Sequence, residues 1–157
     1  MKVSQCYEKD IVVLGPEDGI KEAASKFMRN KIWAAPVVDN GDHVVGIISI
    51  TDILNTFSPD FLPILSNVDF IKDYGALDIT VKDVEDLAKL KVSEIMSKDV
   101  ITIDEQGDLV VAIALMKKHG FRTVPVVKDG KLMGMITTID ICRRFLEVWE
   151  GDTKGEG

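Results

Sequence analysis

The chain has 157 residues, 46% of them hydrophobic and 29% charged, with a net charge of −7. That is the size of one domain, roughly 100–200 residues, in globular proportions that exclude disordered and collagen-like chains; no apolar run reaches the roughly 18 residues of a membrane span. The acidic balance argues against non-specific nucleic-acid binding. The opening Met1-Lys2-Val3-Ser4-Gln5-Cys6 has no apolar leader segment, so a cytoplasmic protein is expected. Cys6, Cys142, His43 and His119 stand apart in the chain with no metal-ligand spacing. Reduced, partly buried thiols are expected rather than a disulfide.

Residues 2–41 align with 91–130 at a constant offset of 89. With Asp42 left out as a one-residue insertion, 43–57 align with 131–145 at an offset of 88, and fifteen of 55 aligned positions are identical. The chain is therefore two copies of one unit, divided as repeat one (1–57), an acidic spacer (58–90), repeat two (91–150) and a frayed tail (151–157). In chain order, each copy opens with a β-branched run, Ile11 to Leu14 or Val100 to Ile103. A helix follows, its apolar stripe being Ile20, Ala23, Ala24, Phe27 and Met28, or Leu109, Ala112, Ile113 and Met116. Two strands then flank an Asn40-Gly41 or Asp129-Gly130 turn, a strong hairpin signal. A second helix begins near Asp52 or Asp140, with Ile53, Leu54 and Phe57, or Ile141, Cys142, Phe145, Leu146 and Trp149, on its apolar face.

The expected fold is α+β: two β-α-β-β-α units, each too small to stand alone, packed sheet to sheet with pseudo-twofold symmetry and leaving two clefts. The spacer, with seven acids and three bases, reads as a solvated linker. Thr80 and Asp83 form a capping-box pattern that predicts a short helix over 81–89. Phe61, Leu62, Ile64 and Leu65 are expected to extend the apolar contact of repeat one. His119 before Gly120 reads as a helix C-terminus. Lys117, Lys118, Arg143 and Arg144 read as solvated helix faces.

At equivalent places stand Gly46-Ile47-Ile48-Ser49-Ile50-Thr51-Asp52 and Gly134-Met135-Ile136-Thr137-Thr138-Ile139-Asp140. This G-h-h-[ST]-x-x-D pattern joins a strand to a helix. Glycine permits close backbone approach, a helix N-terminus favours phosphate, and one carboxylate can accept from both hydroxyls of a ribose. Each residue alone is also an ordinary N-cap; it is the duplication in register, after a Pro-Val-Val strand each time, that favours a nucleotide.

With Lys91-Val92-Ser93-Glu94-Ile95-Met96, Asp99 to Ile103 and Arg122-Thr123-Val124-Pro125-Val126-Val127, these motifs resemble the CBS-domain family, named for cystathionine β-synthase. The arrangement is similar to a tandem CBS pair, or Bateman module, over about 110 of the 157 residues. The resemblance implies a regulatory, non-catalytic module that binds an adenosyl ligand such as AMP, ADP, ATP or S-adenosylmethionine, forms a homodimer and acts on an unidentified partner protein. It also implies clefts built from both copies. The first cleft would use Ser49, Thr51 and Asp52 with Val100, Arg122 and Thr123 of the other copy. The second would use Thr137 and Asp140 with Ile11, Trp33 and Ala34. There Ile139 replaces the second hydroxyl, and Trp33 stands in place of Arg122. That leaves three uses for the second cleft: an uncharged adenosine derivative, a base stacked on Trp33, or a cleft filled by Trp33. Core or interface packing is the plain reading of Trp33 itself. The competing function is a structural oligomerisation module with degenerate clefts. No Cys–His or Ser–His set supports an enzyme, and neither a metal, a catalytic cofactor nor a membrane is called for.

Overall fold

A computed structural model describes residues 1–57 and 79–152. After a 3₁₀ turn at Val3–Gln5 come α1 (Ile20–Asn30), the hairpin β1 (Ala34–Val38) and β2 (Val44–Ser49), and α2 (Ile50–Asn55). Helix α3 (Val81–Leu87) lies in the spacer, capped by the expected Thr80–Asp83 box, and α4 is Val92–Ile95. Repeat two continues with β3 (Ile103–Asp104), α5 (Leu109–His119), the hairpin β4 (Thr123–Lys128) and β5 (Lys131–Thr137), and α6 (Thr138–Asp152). Phe61, Leu62, Ile64 and Leu65 lie outside the described residues.

Each hairpin is antiparallel, pairing Ala35 with Ile48 and Val124 with Ile136. In repeat two, Asp129 and Gly130 both take positive φ (50° and 77°), as a two-residue turn whose twist matches the strands requires. In repeat one the inserted Asp42 takes the left-handed conformation (φ 64°), and Asp39 Oδ1 accepts from the amides of Gly41 and His43. The insertion that breaks the repeat alignment is thus the residue that closes a longer turn.

The first strands are shorter than expected. In repeat two only Ile103 and Asp104 pair with β4, in parallel. In repeat one the run Ile11 to Leu14 makes a single bridge, Leu14 to Val37. The difference is chemical. Glu105 N donates to Val127 O, continuing the repeat-two ladder, whereas the equivalent residue in repeat one is Pro16, which has no N–H to give.

Each repeat keeps its own core: Leu14, Ile20, Ala23, Phe27, Ala35, Val37 and Ile48 in the first, Ile103, Leu109, Ala112, Met116, Val124, Val126, Ile136 and Ile141 in the second. Met28, placed on the apolar stripe of α1 by its spacing, is exposed instead. The opening segment of each repeat completes the core of the other. Val3 is fully buried in the core of repeat two, and Val92 in that of repeat one. The bonds match in pairs. Val3 N donates to Gly107 O and Ser4 N to Glu105 O; Val92 N donates to Asp18 O and Ser93 N to Pro16 O. Glu8 and Met135 exchange backbone bonds, as do Ser97 and Ile47. Lys2 pairs with Asp108, and Lys91 with Glu17. Leu87 of α3 joins the first core. The hairpin ends also meet, with Leu132 N donating to Asp42 O.

Gly46 and Gly134 serve this exchange. A Cβ on Gly134 would overlap Glu8 O and the Tyr7 ring; one on Gly46 would overlap the Met96 thioether. The obstacle at Gly134 includes backbone, while the one at Gly46 is the end of a flexible side chain. Gly134→Ala is therefore expected to cost about 1–3 kcal/mol, the usual range for overpacking, and Gly46→Ala less. Urea midpoints of the two variants against wild type check this order.

Candidate functional site

Both G-h-h-[ST]-x-x-D motifs form the strand-to-helix corners β2–α2 and β5–α6. In the first, Ser49 caps α2: Asp52 N donates to Ser49 Oγ (3.2 Å), while Ser49 N and Oγ both donate to Asp52 Oδ2 (2.7 Å each). In the second, Asp140 N donates to Thr137 Oγ1 (3.1 Å), and Thr137 N and Oγ1 donate to Asp140 Oδ2 (2.8 and 2.6 Å). Each corner is thus a reciprocal capping box. The hydroxyl and carboxylate are already bonded to each other, which fixes the carboxylate at the mouth of the corner.

The motif glycines do different work from that expected. Gly46 and Gly134 admit the exchanged segments, Met96 against one and Tyr7 with Glu8 against the other. Close approach is required there, but the approaching group is the chain itself.

The residue before each Pro-containing strand also joins its own corner. Trp33 O accepts from Ile50 N (2.9 Å), and Arg122 O accepts from Thr138 N (3.0 Å). Backbone bonds thereby bring Trp33 beside Ser49, and Arg122 beside Thr137, within one repeat. No hydrogen bond or ion pair among the described residues joins Arg122 to Asp52, or Trp33 to Asp140. The Arg122 side chain is exposed and without an ion-pair partner among the described residues. Thr51 is exposed, and Thr123, Val100, Ile11 and Ala34 are half-buried. Trp33 is 77% exposed, so core packing does not describe it: its backbone is held at the corner while the indole meets solvent. Ile139 is likewise exposed.

The two carboxylates differ in surroundings. Asp52 is half-buried, and its Oδ1 has no protein partner among the described residues. Asp140 is only 5% exposed, and its Oδ1 accepts from Arg143 Nη1 (3.1 Å), which also donates to Glu8 Oε1 (3.1 Å). Arg143 and Arg144 are therefore not merely solvated: Arg144 is half-buried and bonds Glu147 (3.0 Å). Lys117 and Lys118 are exposed as expected. Burial pushes the Cys6 thiol above its ordinary range, and the nearby Asp140 charge adds to this while Arg144 opposes it. Cys142 is exposed rather than partly buried, and both thiols are free.

On the outer face of repeat two, α5 and α6 border a groove of about 440 Å³ lined by Ile113, Met116, Phe121, Ile141 and Phe145. Val110, Leu146 and Trp149, on the same two helices, are exposed. The stripe assigned to α6 from its spacing is therefore only partly covered. Among the described residues no helix is long and apolar enough to cross a membrane, and no group of acidic, histidine and cysteine side chains could hold a metal ion.

The CBS domain family matches residues 3–58 and 92–147. A CBS domain-containing protein of Dictyostelium discoideum is 32% identical over 150 residues, covering 94% of this chain and 93% of its own. An inosine-5′-monophosphate dehydrogenase of Methanocaldococcus jannaschii is 31% identical over 144 residues, 91% of this chain but only 23% of the dehydrogenase. Among solved structures, the CBS domain pair of the protein MJ0100, in complex with 5′-methylthioadenosine and S-adenosyl-L-methionine, superimposes with a TM-score of 0.67 at 25% identity. The match covers 92% of this chain and 95% of that one.

The Cys6 thiol offers a probe of the Asp140 corner. Removing the negative charge in Asp140→Asn favours the thiolate, so the Cys6 pKa is expected to fall. Its alkylation at neutral pH should then be faster than in the parent protein. The pH profile of iodoacetamide labelling, in a Cys142→Ser background, measures it.

Proposed function

From the premise that the chain belongs to the CBS-domain family, as a tandem pair, we propose that it is a regulatory module that binds an adenosyl ligand. The first cleft is the principal site. The observation that carries this reading is Asp52: a carboxylate fixed by its capping box, with one oxygen unpartnered among the described residues. A carboxylate has about four lone-pair sites. Ser49 occupies two on Oδ2, leaving two on Oδ1 for the two hydroxyls of a ribose. Thr51 adds an exposed hydroxyl. Arg122, a cation with no ion-pair partner among the described residues, suits a phosphate through charge-assisted bonds. Thr123 and Val100 line the base side. The adenosyl ligands of the related CBS pair support the ligand class, with AMP, ADP, ATP and S-adenosylmethionine as the candidates.

The second cleft, with Thr137, Asp140, Ile11, Trp33 and Ala34, is the weaker site. It has Ile139 where the first has Thr51, and Trp33 where the first has Arg122. Occupancy of the first cleft acts on a partner protein in the cytoplasm, and the chemistry of the module is binding, not turnover. The exposed apolar residues of α5 and α6 support a homodimer through that helical face. They also suit the alternative, a purely structural oligomerisation module.

A thermal-shift panel of AMP, ADP, ATP, adenosine, S-adenosylmethionine and GMP decides between the two. At 100 times Kd a cognate ligand stabilises by about 2.7 kcal/mol, and Asp52→Ala is expected to abolish that shift. A flat response to every adenine compound overturns the sensor reading in favour of the oligomerisation module. A shift that survives Asp52→Ala moves the principal site to the Asp140 corner.

A further inference from the structure

Two pairs of differing positions beside the motif set the two corners apart. Three residues after Asp140 stands Arg143; three residues after Asp52 stands Asn55. The exchanged segment beside the second corner brings Glu8, whereas the one beside the first brings Ser97 at the equivalent bridge. Only the second corner can therefore build the chain Asp140–Arg143–Glu8, and it does, with both contacts at 3.1 Å.

We infer that Arg143, anchored by Glu8, occupies the ribose-binding face of Asp140 and closes the second cleft to an adenosyl ligand, so that one chain binds one ligand. This inference rests on the reading that each corner carboxylate receives a ribose. Two of the four lone-pair sites of Asp140 are taken by Thr137 and one by Arg143, which leaves one acceptor for a diol that needs two. Access points the same way: Asp140 is 5% exposed, and its partner at the first corner is half-buried. Glu8 Oε1 accepts from the same Arg143 Nη1 that donates to Asp140, so the guanidinium bridges the two carboxylates. Asn55 is neutral and too short to do the same, and Ser97 carries no charge to hold a cation in place.

The test is binding stoichiometry by titration calorimetry with AMP and with adenosine. Wild type is expected to bind one ligand per chain, and Arg143→Asn, which places the repeat-one residue at the second corner, to bind two. The second event is expected to be roughly tenfold or more tighter than any second binding in wild type, the scale of one hydrogen bond to a charged group, and to disappear in Arg143→Asn/Asp140→Ala. The reverse graft, Asn55→Arg with Ser97→Glu, is expected to weaken binding at the first cleft by a similar factor. Urea midpoints confirm that each variant is folded. One ligand per chain in both wild type and Arg143→Asn overturns the closure while leaving the adenosyl reading intact. So does a wild type that binds two, or a loss of binding in Arg143→Asn. Absence of binding in wild type and Arg143→Asn alike overturns both readings together.

Discussion

The reciprocal exchange of Val3 and Val92 is the constraint on which the rest of the structure depends. A 55-residue unit of short strands and two helices has too little interior to close its own core, because the buried fraction of a chain falls with its size. Each repeat therefore takes a valine, a turn of helix and a backbone bridge from the segment that opens the other. Fully burying one such side chain contributes about 1.5–3 kcal/mol, and the paired backbone bonds add to that. The ion pairs at the segment starts, Lys2–Asp108 and Lys91–Glu17, are exposed and contribute little. Burial and backbone pairing hold the exchange; the charges only border it.

That constraint reaches the corners where the functional groups sit. The glycine that opens each G-h-h-[ST]-x-x-D motif stands where the exchanged segment crosses β2 or β5. Three residues later comes the capping hydroxyl, and three after that the carboxylate. The position of each carboxylate is thus set by its own helix cap and by a segment belonging to the other repeat. A change at the carboxylate has a direct physical route to the packing between repeats, and coupling in one direction implies coupling in the other.

Much of this was legible in the chain. The offset of 89 marked the duplication, the hairpins followed from Asn40-Gly41 and Asp129-Gly130, and the Thr80–Asp83 box marked α3. These are local signals, carried by residues within a few positions of one another. The exchange was not legible, because Val3 and Val92 occupy equivalent places and a periodic pattern does not say which of two equal cores receives a side chain. The shortened first strand of repeat one was written in Pro16, whose missing N–H matters only once Glu105 is seen to donate to Val127. The motif glycines read as room for a ligand because nothing local shows Met96 arriving against Gly46 from 50 residues downstream, or Tyr7 against Gly134 from 127 residues upstream. Trp33 was read as a packing residue from its size, yet the bond from Ile50 N to its carbonyl fixes only its backbone. The pairing of Asp140 with Arg143 was within reach of i,i+3 spacing; its anchor, Glu8, lies 135 residues away.

Duplication makes two corners alike, and later substitution makes them different. Here the differences fall in one direction. Repeat two has Ile139 where repeat one has Thr51, and its carboxylate is the more buried and carries an arginine. Together they exchange a hydroxyl for an alkyl side chain and occupy an acceptor oxygen at the same corner. The scaffold needs both corners, because each caps a helix and seats an exchanged segment. Thr137 and Asp140 keep the same capping bonds as Ser49 and Asp52, while the groups around them differ. A pseudo-symmetric fold can in this way retain two structurally equivalent corners while the groups that surround their carboxylates differ.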